Sequence, residues 1–206
     1  MGQATTNTSS GILLVISGPS GVGKTTITHR VERALGGVFS VSLTTRAMTP
    51  TDRDGVDYHF VSQEKFNAAR DAGELLETAE VYPGCSYGTP RAPVQQALSA
   101  GKLMILEIDV DGAIQIKEKM PHAFSVFVLP PNENTLLERL RARAREDEAK
   151  IQGRFAKAKR EILKAWECGV YDEFIVNRDL EKAVAEAVGL VRDELTRRRQ
   201  PVGAIR

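Results

Sequence analysis

The chain has 206 residues, 42% hydrophobic and 27% charged, with a formal net charge of +1. That length suits one compact domain with room for an inserted subdomain, and the near-neutral charge provides no global basic field for nucleic acid or a membrane surface. The two cysteines, Cys85 and Cys168, make no disulfide framework and point to a reducing, cytoplasmic setting, and no apolar run approaches the ~18 residues of a membrane span.

Residues 1–10 are polar and uncharged, so they read as a disordered leader and not as a signal peptide. The apolar run Ile12–Ser17 predicts a buried strand. It feeds Gly18-Pro19-Ser20-Gly21-Val22-Gly23-Lys24-Thr25, a GxxxxGKT loop whose glycines let backbone N–H groups turn around phosphate oxygens. Lys24 would reach the β- and γ-phosphates of a nucleoside triphosphate, and the Thr25 hydroxyl would ligate Mg²⁺. Thr26 follows in the same nucleotide-binding stretch. Ile27, Val31 and Leu35 then recur at helical spacing until Gly36-Gly37, which sets the loop at a helix N-terminus where the dipole favours an anion.

Further strands are expected at Val38–Leu43, Leu103–Ile108, Phe124–Leu129 and Glu173–Val176, alternating with amphipathic stretches. This predicts a three-layer α/β/α fold of the P-loop NTPase type, with a mainly parallel sheet. Between residues 45 and 90 the alternation breaks, which marks an inserted substrate subdomain. The third run ends in Glu107 and Asp109, where such folds place the acid that holds Mg²⁺ and its waters. Asp109 is assigned that role, with Glu107 beside it. Residues 141–154 are nearly all charged or small, a pattern usual for a solvated helix face and also suited to a mobile lid. Within or beside it, Arg143, Arg145 and Arg154 can supply the positive charge that phosphoryl transfer needs, as can Arg46 at the entry to the insert. The stripe Ile151, Phe155, Ala158, Ile162 and Trp166 is read as core packing, and Asp179 as the cap of a last helix from about Leu180.

At this point the sequence resembles a known family. Ser40-Val41-Ser42-Leu43-Thr44-Thr45-Arg46 followed by Gly55-Val56-Asp57-Tyr58-His59-Phe60 is similar to the GMP-binding signature of guanylate kinases. So are Glu74-Leu75-Leu76-Glu77, Tyr87-Gly88-Thr89, Leu106 to Val110 with Gly112, and Ile175-Val176-Asn177 with Asp179-Leu180. The resemblance runs along nearly the whole chain after the leader. It implies a kinase domain over 11–206 with a core (11–44, 91–140, 155–206), a GMP-binding insert (45–90) and a helical lid (141–154). Ser42, Glu77, Thr89 and Asp109 would contact guanine, and Arg46, Tyr58 and Tyr87 would hold the GMP phosphate, with Glu107 nearby. Lys24, Arg46, Arg143 and Arg154 would be catalytic, and Asn177 would lie near the adenine. Substrates would be ATP and GMP, with Mg²⁺ as cofactor and neither nucleic acid nor membrane as partner.

The chemistry agrees. Guanine presents N1–H and the 2-amino group side by side, and one carboxylate can accept both. Adenine turns a lone pair to that carboxylate and lacks the amino group, and a site built on such bonds can reject the analogue by about 10⁴–10⁵.

The chain also departs from the family pattern. Thr49 stands where an arginine usually grips the GMP phosphate, and Arg53 is the candidate to fill the gap. The stretch Val81 to Ser86 before Tyr87 is one residue longer than usual. Two alternatives stay open on sequence alone: a non-catalytic guanylate-kinase-like binding module, or a related kinase of a phosphorylated sugar.

Overall fold

A computed structural model describes residues 11–82, 84–143 and 147–199, and the side chains of Tyr82 and Arg143 are not among the described ones. The leader 1–10 and Arg145 therefore lie outside the described residues. In chain order the elements are β1 (Ile12–Ser17), α1 (Lys24–Leu35), β2 (Val38–Phe39), β3 (Leu43–Thr44), β4 (His59–Phe60) and α2 (Gln63–Asp71). Next come β5 (Leu75–Tyr82), β6 (Cys85–Pro90), α3 (Arg91–Ser99), β7 (Leu103–Glu107) and α4 (Val110–Lys119). The chain continues through β8 (Phe124–Leu129), α5 (Glu133–Arg143), α6 (Glu148–Glu167), β9 (Glu173–Val176) and α7 (Leu180–Arg199).

The core sheet is parallel throughout, in the order β2-β7-β1-β8-β9. Every residue of the central β1 is buried, as expected for a strand covered on both faces. Its side chains divide by parity. Ile12, Leu14 and Ile16 pack with Ile27 and Val31 of α1 and with Val184, Ala187 and Val191 of α7. Leu13 and Val15 pack on the other side with Val94 of α3 and Ala113 and Ile116 of α4. The two helical layers follow from this alternation. Helices α5 and α6 pack around their own small core of Leu136, Leu140, Ile151 and Ala158, with Asp147 capping α6 by accepting from the Lys150 N–H. Asp179 caps α7 in the same way through the Lys182 N–H. No helix among the described residues is long and apolar enough to cross a membrane.

A second sheet, ordered β4-β3-β6-β5, carries the insert. Here the structure corrects one expected strand. The run Val38–Leu43 is not continuous: β2 pairs with β7 at the edge of the core sheet, whereas β3 pairs with β4 and β6 in the insert. The Ser40 N–H still donates to the Ile105 carbonyl, and the chain then crosses over through Val41-Ser42. The insert sheet thus begins at Leu43, two residues before the expected boundary. A second correction concerns Trp166, which is 56% exposed and stacks flat on Phe174 of the edge strand β9, with ring centroids 4.0 Å apart. Among the described residues no strand of the core sheet lies beyond β9 to bury it. Ile151 and Ala158 of the same stripe are buried as expected.

Candidate active site

The phosphate loop joins β1 to α1. Gly23 is the residue before the helix, with φ at +92°, and a Cβ there would meet Asn177 Nδ2 at 2.7 Å, so glycine is required twice over. Asn177 is buried and donates from Nδ2 to the Val22 carbonyl at 2.8 Å, while its backbone carbonyl accepts from Arg139. This side chain, expected near the adenine, props the loop from below. Gly18, Pro19, Gly21 and Val22 are buried, Val22 in the main core, and Thr26 is exposed on the first turn of α1. Lys24 Nζ donates to the Gly18 carbonyl at 2.8 Å, and its ammonium lies 4.0 Å from Glu107 Oε1. The Thr25 hydroxyl donates to the same Glu107 oxygen at 2.8 Å.

The two carboxylates at the end of β7 line one cavity but make different contacts. Glu107, the last strand residue, meets Lys24 and Thr25. Asp109, expected at the metal, is the N-cap of α4 and accepts from the Gly112 N–H at 2.9 Å. The strand has already ended, so the two-residue alternation no longer places both carboxylates alike. Thr25 and Glu107 together offer two hard oxygens beside the loop, which suits Mg²⁺, an ion usually held through one or two protein oxygens plus waters and phosphates.

A cavity of about 210 Å³ opens over the loop and reaches the insert, with Lys24, Glu107 and Arg154 on one side and Ser42, Tyr58, Glu77 and Tyr87 on the other. Glu77 on β5 is only 3% exposed and accepts from the Thr89 hydroxyl on β6 at 2.6 Å. Burial, aided by the charge of Asp109 and opposed by the Thr89 bond, pushes its carboxyl up to about 7.

The Tyr58 and Tyr87 rings meet edge to face at 5.6 Å. Burial, with the charge of Glu107 next, pushes the Tyr58 phenol up to about 12, so it stays a neutral donor. Arg46 lies over the rings of Tyr58 and Phe60 and forms a bidentate pair with Asp52, at 2.9 and 3.1 Å. Asp52 also accepts from the Thr49 N–H and hydroxyl. These bonds, Arg46 foremost, hold its carboxyl far below the usual range. Thr49, standing where the family pattern has arginine, thus fixes the carboxylate that orients Arg46. A second cavity of about 160 Å³ shares Ser42, Tyr58 and Glu107 with the first and is lined by Arg53, His29 and Thr25 as well. Arg46 lines neither cavity, whereas Arg53 lines the second, its nearest acid being Asp57 at 3.9 Å.

From the lid side, Arg154 on α6 donates to the Ser20 hydroxyl of the phosphate loop at 2.6 Å. Lys157 and Glu161 line the same cavity, Lys157 also donating to the Val81 carbonyl of β5. Sequence reasoning missed both, although they stand three and seven residues after Arg154, on one helix face. The Arg143 side chain lies outside the described residues.

Comparison with known proteins places this site in a family. A family model described as guanylate kinase matches residues 10–194. A guanylate kinase of Anaeromyxobacter dehalogenans is 47% identical over 189 residues, covering 91% of this chain and 82% of that one. One from Thermosynechococcus vestitus is 47% identical over 175 residues, covering 84% and 90%. The crystal structure of guanylate kinase from Anaplasma phagocytophilum superposes with a TM-score of 0.72 at 33% identity, covering 95% of this chain and 92% of that one. The chain therefore belongs to the guanylate kinase family of nucleoside monophosphate kinases.

Proposed function

We propose that the protein transfers the γ-phosphoryl group of ATP directly to GMP, and to dGMP, giving ADP and the nucleoside diphosphate. The observation that carries this reading is the buried Glu77–Thr89 pair facing Lys24 across one cavity. It gives a guanine reader and a triphosphate loop a common floor.

The acceptor phosphate is already an anion, so no general base is required, and the task is to bring two anions together. Arg46, Tyr58 and Tyr87 hold the acceptor phosphate, with Arg53 as the added cation on the side where Thr49 provides none. Ser42 and Thr89 orient the base, and Asp109 supports it from the start of α4. Lys24 exchanges the Gly18 carbonyl for the β- and γ-phosphates, among the backbone N–H groups of Gly18 to Thr25. Arg154, already at Ser20, steadies the transferring group from the lid, together with Arg143. Mg²⁺ would be held at Thr25 and Glu107, where it neutralises charge on the triphosphate. Closure of the lid excludes the water that would otherwise receive the phosphoryl group. Cys85 and Cys168 are both free thiols, which supports a cytoplasmic setting.

An ADP-release assay with GMP, dGMP, AMP and a sugar phosphate tests the reading. GMP and dGMP should exceed AMP by about 10⁴-fold in kcat/KM. Comparable turnover of AMP, or a preference for the sugar phosphate, would overturn it.

A further inference from the structure

Glu77 does not sit on a regular strand. Between β5 and β6 the register runs Leu75 to Pro90 and then Thr78 to Gly88, so β5 carries one extra residue at Leu76-Glu77. Such a bulge re-aims a side chain. β5 is also the outer strand of the insert sheet, and helix α4 meets its open edge. The Gln115 amide accepts from the Thr78 N–H at 3.1 Å and donates to the Thr78 carbonyl at 2.8 Å. Lys119 Nζ donates to the Leu76 carbonyl at 2.5 Å. The residues before and after Glu77 are thus both clamped by the core helix. Between them Gly112 faces the carboxylate, and a Cβ there would stand 2.8 Å from Glu77 Oε2. Residues 112, 115 and 119 recur at three and four, the spacing of one helix face.

The geometry points to the Gly112–Gln115–Lys119 face of α4 as the positioning element for base recognition, fixing the Glu77 bulge so that its carboxylate meets both donors of guanine. The inference rests on the reading of GMP as acceptor. None of the three residues touches the reacting phosphates. They act through Glu77, so they govern acceptor affinity and choice of base and leave the phosphoryl step alone. At Gly112 the first atom a methyl group would meet is the end of a flexible side chain, so alanine there displaces the carboxylate without disturbing backbone.

The test uses the full chain, with GMP and inosine 5′-monophosphate, whose base lacks the 2-amino group. Gly112→Ala and Gln115→Ala should each raise KM for GMP by about tenfold or more, since misplacing a recognition group by an ångström is costly. They should also narrow the GMP-to-IMP ratio, with kcat at saturating GMP and KM for ATP within about twofold of wild type. Glu77→Asp, shorter by one methylene, should be less harmful in the Gly112→Ala background than in wild type, a coupling that a merely structural role would not produce. Gln115→Glu keeps the acceptor for the Thr78 N–H and loses the donor, so it should fall between wild type and Gln115→Ala and supplies the measurement if Gln115→Ala fails to fold. An unchanged GMP-to-IMP ratio, or strict additivity of Gly112→Ala with Glu77→Asp, would overturn the proposal. A wild-type enzyme that ignores GMP would instead overturn the substrate reading, and the proposal with it.

Discussion

In the phosphate loop the groups proposed to recognise substrate are mainly backbone N–H donors, whereas in the proposed acceptor pocket they are side chains. The loop is held by glycine conformations, by Val22 buried in the core and by Asn177 beneath the Val22 carbonyl. The pocket relies on Glu77 against Thr89, Arg46 against Asp52, and two tyrosine rings, brought from segments up to several dozen residues apart. A backbone site tolerates change in most of its side chains provided that its turn survives. A side-chain site can be retuned one residue at a time; here Thr49, where the family resemblance implies a cation, donates to Asp52.

The largest expected effect breaks the donor half alone. Lys24→Ala removes the loop ammonium proposed to meet the β- and γ-phosphates and should lower kcat by about 10²–10³-fold. Steady-state kinetics should show KM for GMP nearly unchanged. A large rise in that KM would mean that the two halves are not separable.

Glu77 sharpens the acceptor half through pH. Only the ionised carboxylate accepts both guanine donors, and burial holds its proton up to about pH 7. KM for GMP should therefore climb as pH falls below about 7, approaching about tenfold per pH unit. Glu77→Gln should have a flatter profile at a uniformly higher KM. The folded chain keeps this proton between about 4.5 and 7 while an exposed glutamate releases it, so the contribution of Glu77 to stability declines as pH rises through that window. Paired melts at pH 5 and pH 8 should show Glu77→Gln gaining on wild type at the higher pH. A wild-type KM independent of pH between 5.5 and 8 would count against an ionisable guanine reader.

The smallest effect concerns compensation. Arg53→Ala should raise KM for GMP by about tenfold, the cost of one exposed charge-assisted contact, and leave KM for ATP alone. An unchanged KM for GMP would assign Arg53 to the surface.

The sequence made the donor half legible because its signals are local: an apolar run, GxxxxGKT and a helical period lie within two dozen residues. The acceptor half was legible only through family resemblance. A single glutamate within an apolar strand reads as a surface charge, and nothing near Glu77 announces Thr89, Gly112 or the bulge. Two local rules also failed for identifiable reasons. Val38–Leu43 has apolar residues at 38, 39, 41 and 43, a pattern that suits one continuous strand, so periodicity could not register that the chain leaves the core sheet after Ser40. Glu107 and Asp109 share a strand face only while the strand lasts, and it ends at Glu107, freeing Asp109 to cap α4.

Trp166 is the only tryptophan in the chain; it lies on α6, the helix that begins in the expected lid and continues into the core, and it stacks on Phe174 of the core sheet. An optical probe thus sits on the helix that joins the part expected to move to the part expected to stay. Sliding of α6 against β9 would alter the overlap of the two rings and their exposure to water. Lid closure would then be readable as a change in intrinsic fluorescence, in unlabelled enzyme and on the timescale of mixing.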